Sequence, residues 1–101
     1  HLLTASVDCY WAAIDAAHSA LMSLGVVPVS PEKVAGVLEE KMVKTGIIEK
    51  KYALIMKELY NLSKKVTKRE IKDIKGKDYD RYRKLSEDFV KRMQLYIEKR
   101  K

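Results

Sequence analysis

Four residues near the N-terminus have the types and spacing expected of a polar site on one helix. This polar strip consists of Asp8, Trp11, Asp15 and His18. At 100° per residue the four share one helical face, and Asp15 and His18 are close enough to interact as an acid–base pair. The pattern predicts a polar groove that contacts a nucleotide or a partner protein. The alternative is a solvated strip that fixes the packing register of the helix.

A second candidate site is a run of cations in the C-terminal half. Its bases are Lys64, Lys65, Lys68 and Arg69, joined by Lys72, Lys75 and Lys77. Clustered bases beside the backbone N–H groups of a helix start favour phosphate, and Tyr79 and Tyr82 follow closely enough to stack on nucleic-acid bases, although Tyr82 fits a core position better. We therefore predict nucleic-acid binding by the first four bases and Tyr79. The alternative is a solvated helical surface, because acids are interspersed among the bases.

Other kinds of site are not expected. His1 and His18 are the two histidines, so the usual His and Cys spacing of a metal site is missing, and four scattered glycines form no phosphate-binding loop. No cofactor is predicted. The single cysteine, Cys9, is expected to be a buried, unreactive thiol, and its lack of a disulfide partner fits a reducing, cytoplasmic location.

The polar strip belongs to an almost uncharged stretch, Thr4–Leu24, which has the pattern of a helix. A bulky apolar stripe runs along it, made of Leu3, Val7, Tyr10, Ile14, Ala17, Leu21 and Leu24. Beside this stripe lies a small-residue stripe. The small-residue stripe is Ala5, Cys9, Ala12, Ala16 and Ala20. A helix that is apolar over most of its circumference is buried over most of it. We predict a central helix that the other helices surround, ended by Gly25, with the small-residue stripe admitting another backbone closely.

Two further helices follow with clear signals. Ser30 and Pro31 start a short helix that Gly46 ends. A heptad seam then predicts a long third helix. The seam is Ile48, Tyr52, Ile55, Leu59, Leu62 and Val66.

The chain after the seam predicts a break and a final helix. Thr67 and Glu70 fit a capping box, which indicates a short new helical piece carrying Ile71 and Ile74 and closed by Gly76. Asp78 is expected to cap the last helix, whose inner face is apolar. These inner positions are Tyr82, Leu85, Phe89, Met93 and Tyr96.

No segment alternates as a strand does, so we predict an all-α, antiparallel, up-and-down bundle of about four main helices in a single domain, residues 1–101. Carboxylates within the apolar stretch argue against a membrane span.

The net charge is −2 over residues 1–30, +3 over 31–66 and +6 over 67–101. This basic excess could face phosphate. A scarcity of Asn and Gln among many charged residues hints at a thermophilic source.

Three segments together resemble the HEPN (higher eukaryotes and prokaryotes nucleotide-binding) family. They are SVDCYWAAIDAAHSALMSLGVVP, KMVKTGIIEKKYALIMKELYNLSKK and GKDYDRYRKLSEDFVKRM. The first resembles the second helix of that family, which implies that one further helix precedes it. A sequence that begins with His1 and not with Met fits the loss of that helix. The resemblance also implies a helical bundle that forms a symmetric homodimer. Many members are metal-independent ribonucleases, often toxins paired with a small nucleotidyltransferase antitoxin.

The catalytic signature of those ribonucleases is an Arg followed four to six residues later by His. This chain lacks it, because both histidines precede Arg69, the first arginine. Lysine and threonine stand where the signature would fall, and neither replaces imidazole as a proton shuttle near neutral pH. We therefore predict a module that binds RNA, a nucleotide or a partner protein without nuclease activity. One alternative is a toxin-type ribonuclease with a degenerate active site that uses Lys64, Lys65 or Tyr79. The other is a purely structural dimerisation module that pairs through the small-residue stripe.

Overall fold

Four helices make up the fold, and the computed structural model describes residues 1–100. The helices are α1 (Leu2–Ser23), α2 (Val34–Leu38), α3 (Lys50–Thr67) and α4 (Gly76–Arg100). A 3₁₀ turn, Pro31–Lys33, leads into α2, and a π-helical turn, Glu39–Val43, continues it. No strand occurs in residues 1–100, so the predicted all-α bundle of four helices is confirmed. None of these helices is both long enough and apolar enough to span a bilayer.

The heptad seam forms the inner face of α3, as predicted. Its first five positions, from Ile48 to Leu62, are buried, and Val66 is half-buried where the helix approaches its end. A 3.5-residue repeat keeps one apolar line facing the same neighbours, which here are α1 and α4. From α4, Phe89 and Met93 are fully buried against this face. The core therefore lies between α1, α3 and α4, with α2 covering one side.

Helix α3 runs antiparallel to α4. At the start of α3, Glu49 accepts a hydrogen bond of 2.9 Å from Arg92, which lies in the second half of α4. At the middle of α3, Glu58 accepts two hydrogen bonds from Arg81, which lies nearer the start of α4. The end of α3 and the beginning of α4 therefore lie at the same end of the bundle.

Helix α1 packs most extensively on α4, and these two helices run in the same direction. Ala5 lies beside Tyr79 near both helix starts, whereas Ala16 lies beside Val90 further along. Between these points the Ser86 hydroxyl donates a hydrogen bond of 2.7 Å to the Cys9 carbonyl of α1. A side chain can reach a helix backbone this closely because the small-residue stripe places no bulky group in the way.

The prediction that other helices surround α1 is correct for one side of it and wrong for the other. Tyr10, Ile14 and Leu21 of the bulky stripe are buried. On the opposite side Trp11 is 51% exposed and Met22 is 52% exposed. The reason is that three neighbours cover only half of the helix, so apolar residues remain on the uncovered half.

Three helical segments end in the same backbone motif. In each, a residue with positive φ follows the helix, and the next N–H donates to the carbonyl five residues earlier, as in a Schellman motif. Gly25 (φ 79°) ends α1 and Gly46 (φ 79°) ends the segment that contains α2, as predicted. Arg69 (φ 61°) occupies the equivalent position after α3. A side chain at this φ is strained, because Cβ approaches the following carbonyl.

The predicted capping box at Thr67 is wrong. Thr67 is the last residue of α3, and its hydroxyl donates to the Ser63 carbonyl one turn back. Residues 71–75 are not helical, so Ile71 and Ile74 lie in a loop, and Gly76 begins α4 rather than closing a helix. Burial of Ile74 (6% exposed) requires the chain to turn back across the end of the bundle, which a helix beginning at Thr67 would prevent.

Candidate functional site

The basic segment, residues 64–77, lies at the end of the bundle where α3 ends and α4 begins. It contains seven bases and two acids among fourteen residues. All seven bases, including the predicted Lys64, Lys65, Lys68 and Arg69, are exposed. The structure therefore brings the four predicted bases together around one helix end.

The cations of the basic segment have no carboxylate partner within residues 1–100. The cations of residues 1–100 that do form ion pairs lie outside the basic segment, and they are Lys44, Lys51, Arg81, Arg83 and Arg92. Lys64 instead extends its ammonium group to 5.6 Å from the centre of the Tyr60 ring. Unpaired cations raise the local positive potential, so the clustering of seven of them makes this end of the bundle attractive to anions.

The backbone holds the basic segment in a defined shape. The N–H groups of Glu70 and Ile71 both donate to the Lys65 carbonyl, at 2.9 and 3.3 Å. Ile74 is buried and Ile71 is half-buried, so two apolar side chains anchor the loop to the bundle. The cations are therefore displayed on an anchored loop, which lowers the entropy lost when they bind a ligand.

Replacing Arg69 by glycine is expected to raise the free energy of unfolding by about 1 kcal/mol, or the melting temperature by about 5 °C. Glycine relieves the strain of positive φ, and this gain exceeds the extra freedom of the unfolded chain. Lys68→Gly is the matched control, since Lys68 has φ −80° and loses the same charge without relief of strain. Thermal unfolding followed by circular dichroism measures both, and equal stability of the two variants would contradict the prediction.

Four surface depressions lie between the helices. The α2–α3 depression, of about 420 Å³, includes Glu32, Gly36, Glu39, Leu54 and Lys57. The Lys65 depression, of about 360 Å³, includes Leu54, Lys57, Asn61, Lys65, Ile71 and Tyr82. Two α1–α4 depressions, of about 280 and 310 Å³, follow the small-residue stripe.

Tyr79 does not accompany the predicted bases. It is half-buried and lies in an α1–α4 depression beside Ala5 and Asp8. Tyr82 instead shares a depression with Lys65. Three residues along a helix turn a side chain by about 60° onto the neighbouring face, so the start of α4 decides which tyrosine adjoins the bases. Sequence reasoning allowed either tyrosine to stack on a base but favoured a core position for Tyr82, and the structure leaves its phenol half-buried.

The polar strip on α1 forms an exposed ridge, and the structure does not bring its four residues together in one depression. Asp8, Trp11 and Asp15 are exposed, and each carboxylate lies at the rim of a different α1–α4 depression. His18 is half-buried, and its Nε2 atom is buried without a hydrogen-bond partner in residues 1–100. The reason is that α4 packs on the small-residue stripe and no helix covers the other side of the polar strip.

The Cys9 thiol is half-buried between α1 and α4. Burial, and secondarily the Asp8 carboxylate, raise the pKa of the thiol above its ordinary value. A raised pKa keeps the sulfur protonated near neutral pH, where the thiolate is the reactive form. Cys9 therefore behaves as a small packing residue, although it is half-buried and not fully buried as predicted.

Leu54 is an exposed apolar residue that sequence reasoning did not single out. It is 56% exposed, and it separates the α2–α3 depression from the Lys65 depression. Its position outside the heptad seam was the available signal, because a leucine off the buried face of an otherwise charged helix lies in solvent.

In residues 1–100 no three His, Cys, Asp or Glu side chains are grouped closely enough to hold a metal ion. No protein-family model, no curated protein and no solved structure matches the chain. The chemistry of the exposed surface, and above all the basic segment, is therefore what bears on function.

Proposed function

We propose that this chain is a HEPN-like helical module that binds RNA through the basic segment and does not cleave it. The observation that carries the proposal is the concentration of seven exposed bases at one end of the bundle, none of them paired with a carboxylate in residues 1–100. Phosphate contacts by such bases release condensed counterions, which is the main source of sequence-independent affinity for nucleic acid.

The arrangement of charge supports a polyanion rather than a single small anion. The seven bases extend from the last turn of α3, through the loop, to the first turn of α4. A chain of phosphates can contact several of them at once, whereas one phosphate can contact only a few. Five cations outside the basic segment form ion pairs, which reduce their attraction for phosphate.

Binding without cleavage is supported by the residue types of the basic segment. The segment contains no histidine, the residue best suited to proton transfer near neutral pH. Lysine remains protonated near neutral pH and can hold a phosphate, but it cannot act as a general base there.

Affinity for RNA is expected to fall steeply as salt rises. With about seven phosphate contacts to a single strand, the logarithm of the association constant should fall with the logarithm of salt concentration at a slope of about −5. Fluorescence anisotropy of a labelled single-stranded RNA between about 50 and about 200 mM salt measures the slope. An affinity that stays constant over this range would rule out the phosphate-led mode, and intact RNA after incubation is expected throughout.

A second candidate function, self-association, is favoured by the α1–α4 face. Ala12 is exposed and Ala5 and Ala16 are half-buried, so small side chains line both α1–α4 depressions. Trp11 and Met22 lie exposed on the adjacent side of α1. Where α4 leaves the small side chains uncovered, as at Ala12, a helix of a second copy could approach α1 closely and cover the apolar side chains. This is the symmetric homodimer that the family resemblance implies.

Leucine at Ala12 or Ala16 is expected to weaken such a dimer by about 1–3 kcal/mol, because overpacking forces the two surfaces apart. Ala12 is exposed in the single chain, so Ala12→Leu should leave the stability of the monomer unchanged. Sedimentation equilibrium of the parent and both variants measures the effect, with Ser19→Ala as a control beside the same depression. A parent that remains monomeric, or variants that associate like the parent, would contradict the candidate.

A further inference from the structure

The Lys65 depression combines apolar walls with a small number of polar groups. Its apolar part comes from Leu54, Leu62 and Ile71, together with the ring of Tyr82. Asn61 supplies an amide that both donates and accepts hydrogen bonds. A volume of about 360 Å³ is within the range of small-molecule sites, about 300–1,000 Å³. The depression therefore has the size and chemistry to receive a planar, polar-edged ring.

Charge distinguishes this depression from the other three. Lys57 and Lys65 lie in it, and neither pairs with a carboxylate in residues 1–100. Its one acid, Glu58, accepts two hydrogen bonds from Arg81, one of them 2.9 Å long, so its charge is neutralised. The α2–α3 depression, in contrast, carries Glu32 and Glu39, which repel an anion.

The Tyr82 ring is held in place at the edge of the basic segment. The Arg81 guanidinium lies 5.8 Å from the centre of the ring and is itself fixed by Glu58. Ile71, which belongs to the basic segment, lies in the same depression. A strand of RNA whose phosphates contact the basic segment would therefore pass directly beside this aromatic ring.

We infer that the Lys65 depression is a nucleobase subsite, which takes one unpaired base of a single-stranded RNA bound by the basic segment. The inference rests on the proposed function. The base stacks on Tyr82, its edge contacts the amide of Asn61, and Lys57 and Lys65 contact the flanking phosphates. Single-stranded RNA is recognised in this way because its bases are free to leave the stack.

The test compares two ligands that share phosphate but differ in bases: a short single-stranded RNA and inorganic polyphosphate. Tyr82→Ala is expected to weaken RNA binding about tenfold, the effect of losing one stacked base, and to leave polyphosphate binding unchanged. Asn61→Ala is expected to weaken RNA binding about fivefold, again without effect on polyphosphate. Asn61 is exposed on α3, so this variant decides the question if Tyr82→Ala does not fold.

Tyr96→Ala is the matched control, since Tyr96 is a half-buried tyrosine near the other end of the same helix, away from the basic segment. It should bind both ligands as the parent does. RNA affinities of the Tyr82 and Asn61 variants within about twofold of the parent, or equal losses for RNA and polyphosphate, would overturn the subsite and leave the basic segment intact. A parent chain that binds no RNA would overturn the proposed function and the subsite together.

Discussion

Replacing Phe89 by alanine is expected to lower the free energy of unfolding by about 4 kcal/mol. The Phe89 side chain is fully buried, and its ring lies 6.3 Å from that of Tyr52, at an angle of 60°. Of residues 76–100, which form α4, Ser86, Phe89 and Met93 are the buried ones. Removal of the ring therefore leaves a cavity where α4 joins α1 and α3, and the loss approaches the total stability of a domain of this size.

The comparison needs two controls on the same helix. Leu95 is 45% exposed, so Leu95→Ala should change the stability by less than about 0.5 kcal/mol. Phe89→Leu keeps most of the apolar volume and should cost about 1.5 kcal/mol. Urea unfolding followed by circular dichroism gives all three values, provided that the slope of free energy with urea is unchanged. A loss below about 1 kcal/mol for Phe89→Ala would show that α4 is not anchored by this residue.

Changing Lys64, Lys65, Lys68 and Arg69 together to alanine is expected to weaken RNA binding about a hundredfold at low salt, with little dependence on RNA sequence. All four are exposed and unpaired in residues 1–100, so their loss removes phosphate contacts without uncovering buried charge. The salt slope should fall from about −5 to about −2, because about three contacts remain.

A variant with the same net charge separates the site from a general effect of charge. Lys41, Lys50, Lys91 and Lys99 are exposed, unpaired in residues 1–100, and outside the basic segment. Their joint replacement by alanine should weaken RNA binding by less than about fivefold, through the long-range field alone. Similar affinities for the two fourfold variants would locate the binding site elsewhere.

The fold was predictable from the sequence where one signal dominates. The heptad seam from Ile48 to Leu62 is the continuous apolar line of an otherwise charged helix, so the sequence predicts which face of the helix is buried. Gly25 and Gly46 occur where positive φ is needed, and glycine is the residue for which this conformation carries no steric cost.

The prediction failed where two signals compete. Thr67 and Glu70 have capping-box spacing, yet α3 ends at Thr67 through a positive φ at Arg69, a residue type that gives no hint of that conformation. On α1 the apolar residues surround most of the helix, so periodicity could not show that Trp11 and Met22 would stay exposed. Tertiary packing overrides such local signals, and it is not contained in any short stretch of sequence.

The candidate site was predictable in its charge and not in its shape. Lys64, Lys65, Lys68 and Arg69 are clustered in sequence, and nearby residues remain close in any helical fold. The Lys65 depression needs α3, the loop and α4 at once, so no local pattern contains it. For the same reason Tyr79 was preferred to Tyr82 as the stacking residue, since the choice between them requires the true start of α4 at Gly76.

The parallel arrangement of α1 and α4 has an electrostatic consequence for the end of the bundle that carries the basic segment. Each helix start has a partial positive charge of about half an elementary charge, because its first N–H groups point outward along the axis. Two such starts meet one helix end, that of α3, whose partial charge is negative. The peptide backbone thus adds a net positive dipolar field to that of the lysines. Unlike the lysine charges, this contribution persists when every basic side chain of that end is removed.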